Sequence, residues 1–257
     1  MIVAGIGMLV LAVGLASCSG KRETVKTRDE TGAVISVATY LDGKKDGKYV
    51  EYYPEGKIKV AAKYKNGQLD GKRKEYFDYG KIKLEENYKD GILHGDRKEY
   101  SVYDHVKVYA VYKDGKLNGW YREYQDNGQL SLEKEYRGGI LHGIFRRYYP
   151  SGELWRVGTA VNDRQEGMMK EFYSSGRLKR EWHAMDGVSD GVSREYHENG
   201  RLAVEGDYRN GKPHGSFKTY KGKRVFQEDV YTDGQYVGRR FFDEKGRVEY
   251  EQGFGVN

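Results

Sequence analysis

Three histidines, His94, His142 and His214, stand in one recurring word of the chain. It reads YKDGILHG at 88–95, YRGGILHG at 136–143 and YRNGKPHG at 208–215, with YKNGQLDG at 64–71 and YKDGKLNG at 112–119 as sister words. In the word at 88–95 an acidic residue, a histidine and two glycines fall within eight positions, the makings of a metal site or an acid–base loop. The spacing argues against both. On paired strands His94 and His142 lie about 20 Å apart, whereas ligands sharing an ion sit about 2 Å from it. Asp70 and Asn118 replace the histidine in sister words. His105, His183 and His197 follow no pattern, and Ser151 and Ser174 lie in turns without a patterned base. No strand–glycine–helix unit offers a phosphate loop. The sequence therefore predicts no catalytic residue, no metal and no cofactor, and reads as that of a non-enzyme.

The only cysteine is Cys18, so no intramolecular disulfide can form. Residues 1–17, MIVAGIGMLVLAVGLAS, carry no charge, and Lys21 and Arg22 follow. A short apolar run ending in small residues reads as a secretory signal helix. The stretch Leu15-Ala16-Ser17-Cys18 resembles a bacterial lipobox, which implies cleavage before Cys18 and lipidation of its thiol. The expected location is the bacterial cell envelope, lipid-anchored at the outer membrane or facing the periplasm. No Lys or Arg precedes the run, which leaves two other readings open: a start lying upstream, or an uncleaved anchor with the rest on the cytoplasmic side.

The elements that must position these residues are set by a period. Gly47, Gly71, Gly95, Gly119, Gly143, Gly167, Gly191 and Gly215 are spaced 24 apart. Two further glycine series, beginning at Gly43 and Gly32, keep the same step with a few replacements. Between them recur an aromatic residue (Tyr52, Tyr76, Tyr100, Tyr124) and an aliphatic one (Ile58, Ile82, Val106, Leu130). Alternation over segments such as 48–53 and 57–64 marks strands. The 24 Tyr and 35 Gly suit short strands joined by tight turns. The fold class expected is all-β: about nine 24-residue β-hairpin repeats in one elongated, twisted antiparallel sheet, occupying 32–257, after a signal peptide (1–17) and a lipidated Cys18 with polar tether (18–31).

The register follows from the turns. Tyr53-Pro54-Glu55-Gly56-Lys57 suits a three-residue hairpin with Gly56 left-handed. Counting inward opposes Tyr52 to Ile58, Glu51 to Lys59 and Val50 to Val60, with Glu75–Lys83, Glu99–Lys107 and Glu171–Lys179 repeating the charge pair. Asn66-Gly67 suits a two-residue type I′ turn that opposes Tyr64 to Leu69. One residue must then be absorbed at Asp70-Gly71, and Asp, Asn or His before that glycine suits a positive φ. On this reading the histidine word is a register device.

The words YKNGQLDGKRKEYF and YRNGKPHGSFKTY resemble MORN repeats in their bacterial variant form, over roughly residues 32–250. The resemblance implies serial β-hairpins in a largely single-layered sheet. Related bacterial chains are called antitoxin-like, and eukaryotic relatives are associated with membrane phospholipids and scaffolding.

With 45 basic and 39 acidic residues interspersed, the surface is mixed and not a nucleic-acid stripe. By the parity above, Tyr121, Phe145, Arg147, Tyr149, Trp155, Met169 and Tyr173 project from the wet face, with Arg147 opposite Trp155. Aromatics interleaved with arginine suit a protein interface. The functional expectation is a lipid-anchored protein-binding or scaffold module. The alternatives are an antitoxin or immunity-type protein neutralising a toxin, and a binder of anionic lipid headgroups.

Overall fold

Two kinds of turn build the chain, as a computed structural model describing residues 20–254 shows. At Tyr53 the three-residue hairpin closes as expected: Tyr53 N–H donates to the Lys57 carbonyl at 2.8 Å and Gly56 N–H to the Tyr53 carbonyl at 2.9 Å. Gly56 takes the left-handed φ of 80°. At the other turn Asn66 and Gly67 have φ of 50° and 86°, the type I′ signature, with Tyr64 opposite Leu69. Even Asn162-Asp163, where aspartate stands in the glycine slot, keeps both φ values positive, at 52° and 66°.

All 21 elements among the described residues are strands, from Arg22–Arg28 to Val248–Gln252. The chain divides into two compact units between Gly128 and Gln129. Inside each unit the strands pair antiparallel in sequence order, except that Ile92–Leu93 and Gly95–Tyr100 both pair with Ile82–Lys89. The signal segment 1–17 and Cys18 lie outside the described residues.

Three expectations need correction. The polar tether is shorter than 18–31, because Arg22–Arg28 is a strand paired with Val34–Leu41. Its Thr and Val residues favour extended backbone, and its charges suit a sheet edge.

The register is also displaced. Tyr52 does oppose Ile58, but Glu51 opposes Val60 and Val50 opposes Ala61, so Lys59 is the extra residue of a bulge. The same step recurs at Lys83 and Lys179. Beyond the type I′ turn, Tyr64 opposes Leu69 and Ala62 opposes Arg73, so Asp70, Gly71 and Lys72 together face Lys63. Two residues are absorbed there and one at the hairpin, not a single one at Asp70-Gly71. The strict Glu–Lys opposition therefore fails. Glu51 still reaches Lys59 diagonally at 2.7 Å, but Glu75 pairs with Arg73 and Glu99 with Arg97.

The third correction concerns Asp46, Asp70 and His94, none of which has a positive φ. Their side chains instead reach the following repeat's turn. Asn66 N–H donates to Asp46 Oδ2 at 3.2 Å, and Asn210 N–H to Asp190 Oδ2 at 2.9 Å. His94 Nδ1 lies 3.2 Å from Asp114 Oδ1. The turn glycine adds a second tie: Gly67 N–H donates to Lys45 C=O and Gly91 N–H to Leu69 C=O, both at 2.8 Å. Each repeat thus satisfies the backbone of the next one's turn, a repeat-to-neighbour coupling of the kind that makes such chains cooperative.

The bulges decide which side chains are buried. One face of each unit carries the core. In the second unit it is Phe145, Ala160, Met169, Trp182 and Ala184, with Leu141 against them. In the first unit it includes Ala38, Val60, Ala62 and Ala110, and also the buried carboxylate of Glu86. Glu86 is compensated by Arg73 at 2.8 Å, Arg97 at 3.4 Å and the Tyr88 hydroxyl at 3.0 Å. A buried charge costs several kcal/mol unless its oxygens are so engaged.

Candidate functional site

The displaced register rearranges the seven residues expected to form one wet-face patch. Phe145 and Met169 belong to the core, Met169 with no exposed surface and Phe145 with 9%. Both lie over Gly158, where an added Cβ would stand 2.2 Å from Met169 Sδ and 2.9 Å from Phe145 Cζ. They do not project into solvent, because the bulge at residue 155 turns the strand before it over. Tyr121, in the first unit, also takes a core-face position, opposite buried Ala110, with its hydroxyl donating to Glu123 at 2.7 Å.

Tyr149 and Tyr173 sit at hairpin starts, half-buried. Their hydroxyls donate to the carbonyls of Phe172 at 2.8 Å and Tyr196 at 2.7 Å, one repeat further on. Tyr53 does the same to Tyr76 C=O at 2.7 Å. These tyrosines are rivets between repeats. Arg147 opposes Arg156 and not Trp155. Its guanidinium carbon is 5.9 Å from the Trp155 ring centre, at the outer limit of a cation–π contact. Of the expected patch only Arg147 is exposed, with Trp155 half-buried beside it.

The opposite face of the second unit carries the apolar surface that parity reasoning missed. Val161, Met168, Met185 and Val192 are all exposed, Met168 to 48%. Each is the sequence neighbour of a buried core residue, respectively Ala160, Met169, Ala184 and Ser193. Adjacent residues in a strand point to opposite faces, so the four share the outer face. Ile140 and Val188, also exposed, flank type I′ turns, and Val188 stands directly opposite Met185. The corresponding outer-face positions of the first unit are mostly polar: Lys48, Lys72 and Asp96 for Met168, with Trp120 the exception, and Lys65, Lys89 and Lys113 for Val161, with Leu41 the exception. The period itself was the available signal, since these two slots hold Lys or Asp at 48, 65, 72, 89, 96 and 113 and Ile, Val or Met at 144, 161, 168, 185 and 192.

The histidines remain dispersed. His94 and His214 each contact an aspartate of a neighbouring turn, His214 Nδ1 lying 3.1 Å from Asp233 Oδ1. Among the described residues no three His, Cys, Asp or Glu side chains come together as a metal-binding group.

With this geometry in place, comparison with known proteins gives one family match. Residues 45–66, 69–90, 141–162 and 189–210 match the MORN repeat variant. Each of these four segments is similar to a MORN repeat. Their starts differ by multiples of the 24-residue period, so all four hold the same place in the hairpin. No curated protein matches the chain. Among solved structures, the Tc holotoxin pore of Photorhabdus luminescens is 13% identical, with 89% of this chain and 15% of that chain covered and a TM-score of 0.22. A TcdB2-TccC3 structure is 12% identical, with 89% and 17% covered and a TM-score of 0.17. The complex TcdB2-TccC3-Cdc42 is 10% identical, with 91% and 17% covered and a TM-score of 0.16. The chain spans about a sixth of the length of these structures.

Proposed function

We propose that this chain is a non-catalytic, lipid-anchored binding module of the bacterial cell envelope, and that it docks a protein partner on the outer face of its second unit. The observation that carries the docking reading is the set of exposed apolar side chains Val161, Met168, Met185 and Val192 on one outer face, each beside a buried neighbour in sequence, with His183 between Met168 and Val192. Exposed apolar side chains gathered on one face among charged residues are a feature of interaction surfaces. Arg146, Lys170 and Arg194 border the set on the same face, and methionine adapts well to varied partner shapes. MORN repeats suit this role, since a repeated sheet offers extended contacts without a catalytic cleft. The anchor rests on Cys18 and the apolar run before it.

Crosslinking in native membranes tests the docking face. Wild type captures a partner, and the double variant Met168→Glu, Val192→Glu loses it while keeping its β-sheet circular dichroism. Equal capture by the variant removes the docking face. Mass spectrometry of the mature chain tests the anchor: a lipidated Cys18 at the N-terminus supports it, and an intact Met1 refutes it.

A further inference from the structure

The outer face of the first unit holds a charge arrangement that the repeat does not use elsewhere. Lys48 stands directly opposite Lys63 across two paired strands. Lys63 in turn faces the three-residue step containing Lys72, and its Cδ lies 3.4 Å from where a Cβ on Gly71 would be. Three lysines therefore follow one another across three adjacent strands. Like charges in direct opposition destabilise a sheet. Lys74 is neutralised by Glu85 at 2.5 Å and Lys59 by Glu51 at 2.7 Å. Lys48, Lys63 and Lys72 have no carboxylate partner among the described residues. One repeat on, the row reads Lys72, Asn87, Asp96, and the repulsion is gone.

Beside the lysines the same face changes character a second time. The next slot along the strand holds a base in every other full repeat: Lys74, Lys98, Arg122, Arg146, Lys170, Arg194 and Lys218. Several meet a carboxylate on the paired strand, as Lys74 meets Glu85, and Arg146 meets Glu133 at 2.7 Å. Only in this repeat is the pair apolar, Val50 opposite Ala61. The result is an open groove of about 710 Å³, floored by Val50 and Ala61, flanked by Tyr76 and lined by Lys48, Lys63 and Lys72 together with the ion-paired Lys74. That volume falls within the range of small-molecule sites, about 300–1,000 Å³.

We infer that this groove binds a small organic anion: a phosphate-type head set among the three lysines, carried on a flat apolar body lying over Val50 and Ala61. The charge is complementary, since an anion relieves the Lys48–Lys63 repulsion, and the floor excludes a purely polar ligand from most of the contact. The site lies on a different unit from the proposed protein-docking face, and its test is independent of that reading.

The probe is 1-naphthyl phosphate, titrated by calorimetry into the whole chain at low salt. Saturable binding is expected, weakened about tenfold or more in the variant Lys63→Glu, Lys72→Gln, and weakened likewise by raising the salt to about 0.5 M. Lys63→Glu alone should keep or raise the melting temperature while losing the ligand, because it converts a like-charge pair into an opposite one; this separates loss of binding from loss of fold. Inorganic phosphate and 1-naphthalenemethanol should each bind more weakly than the joined probe, the first reporting the missing floor contact and the second the missing charge. No saturable binding overturns the inference, as does equal binding by the variant or equal affinity for inorganic phosphate. Binding to vesicles containing about 30% phosphatidylserine without binding to the naphthyl probe also overturns it, by making the lysine row a membrane contact.

Discussion

Met168 and Met169 are neighbours in the chain and lie on opposite faces of one strand. Met169 is wholly buried against Phe145 and Gly158, and Met168 is about half exposed beside His183. Two chemically identical side chains thus differ only in which face the register gives them. Met169→Ala should destabilise the second unit by about 2–5 kcal/mol, the range for truncating a buried methionine. Met168→Ala should change stability by less than about 0.5 kcal/mol, as for an ordinary surface position. Urea denaturation of the two variants side by side checks this. Equal costs would mean that the register is wrong.

Gly158 provides a second test of the same packing. Its φ is not left-handed, so alanine there meets no backbone strain; the obstacle is Met169 Sδ at 2.2 Å from the added Cβ. Gly158→Ala alone should lower the melting temperature through overpacking, a cost of about 1–3 kcal/mol. Combining it with Met169→Ala should cost less than the sum of the two single changes, since the cavity left by one accepts the methyl of the other. Additive costs would show that the two residues do not touch.

The architecture was legible in the sequence because turns are written in local chemistry. Asn66-Gly67 and Pro54-Glu55-Gly56 each specify a loop, and their 24-residue recurrence specifies the hairpin array. The faces were not legible, because a bulge leaves a faint mark. Lys59, Lys83 and Lys179 are ordinary strand residues, and nothing in their type announces that two of the chain's residues there oppose one. Missing that step turned Phe145 and Met169 outward and hid Met168 and Val192. A one-residue error in register exchanges the faces. The ties made by Asp46 and His94 were obscured differently. Their residue types fit a positive φ as well as a side-chain bond to the next turn, and only the three-dimensional neighbour distinguishes the two.

Tyr100 gives the pH prediction. Its hydroxyl donates to Glu85 Oε2 at 3.0 Å. Burial first, and then that bond to a carboxylate, push its pKa up to about 12 from the ordinary value of about 10. The folded chain therefore holds a proton that the unfolded chain releases near pH 10. The stabilisation is fully present below pH 10 and declines as pH rises from about 10 towards 12. Denaturation midpoints measured across that window should fall in wild type and fall less steeply in Tyr100→Phe. Parallel profiles would remove Tyr100 as a source of the alkaline loss.

The word at 88–95 yields the last prediction, which separates its side chain from its backbone. His94 contributes an exposed contact to Asp114 at 3.2 Å, and such surface pairs contribute about 0–1 kcal/mol. His94→Asn should therefore be nearly silent, with asparagine able to hydrogen-bond the same turn. Gly95 has a φ of 105°, and an added Cβ would stand 3.3 Å from Asn87 Cβ. Gly95→Val places a β-branched residue where only glycine is at ease. It should loosen the pairing of Tyr88 with Leu93 and of Leu84 with Glu99, which flank the step. Amide hydrogen exchange reads this directly: protection across 84–99 should drop by about tenfold or more in Gly95→Val and stay within about twofold in His94→Asn. The reverse order would return the histidine to the centre of the motif.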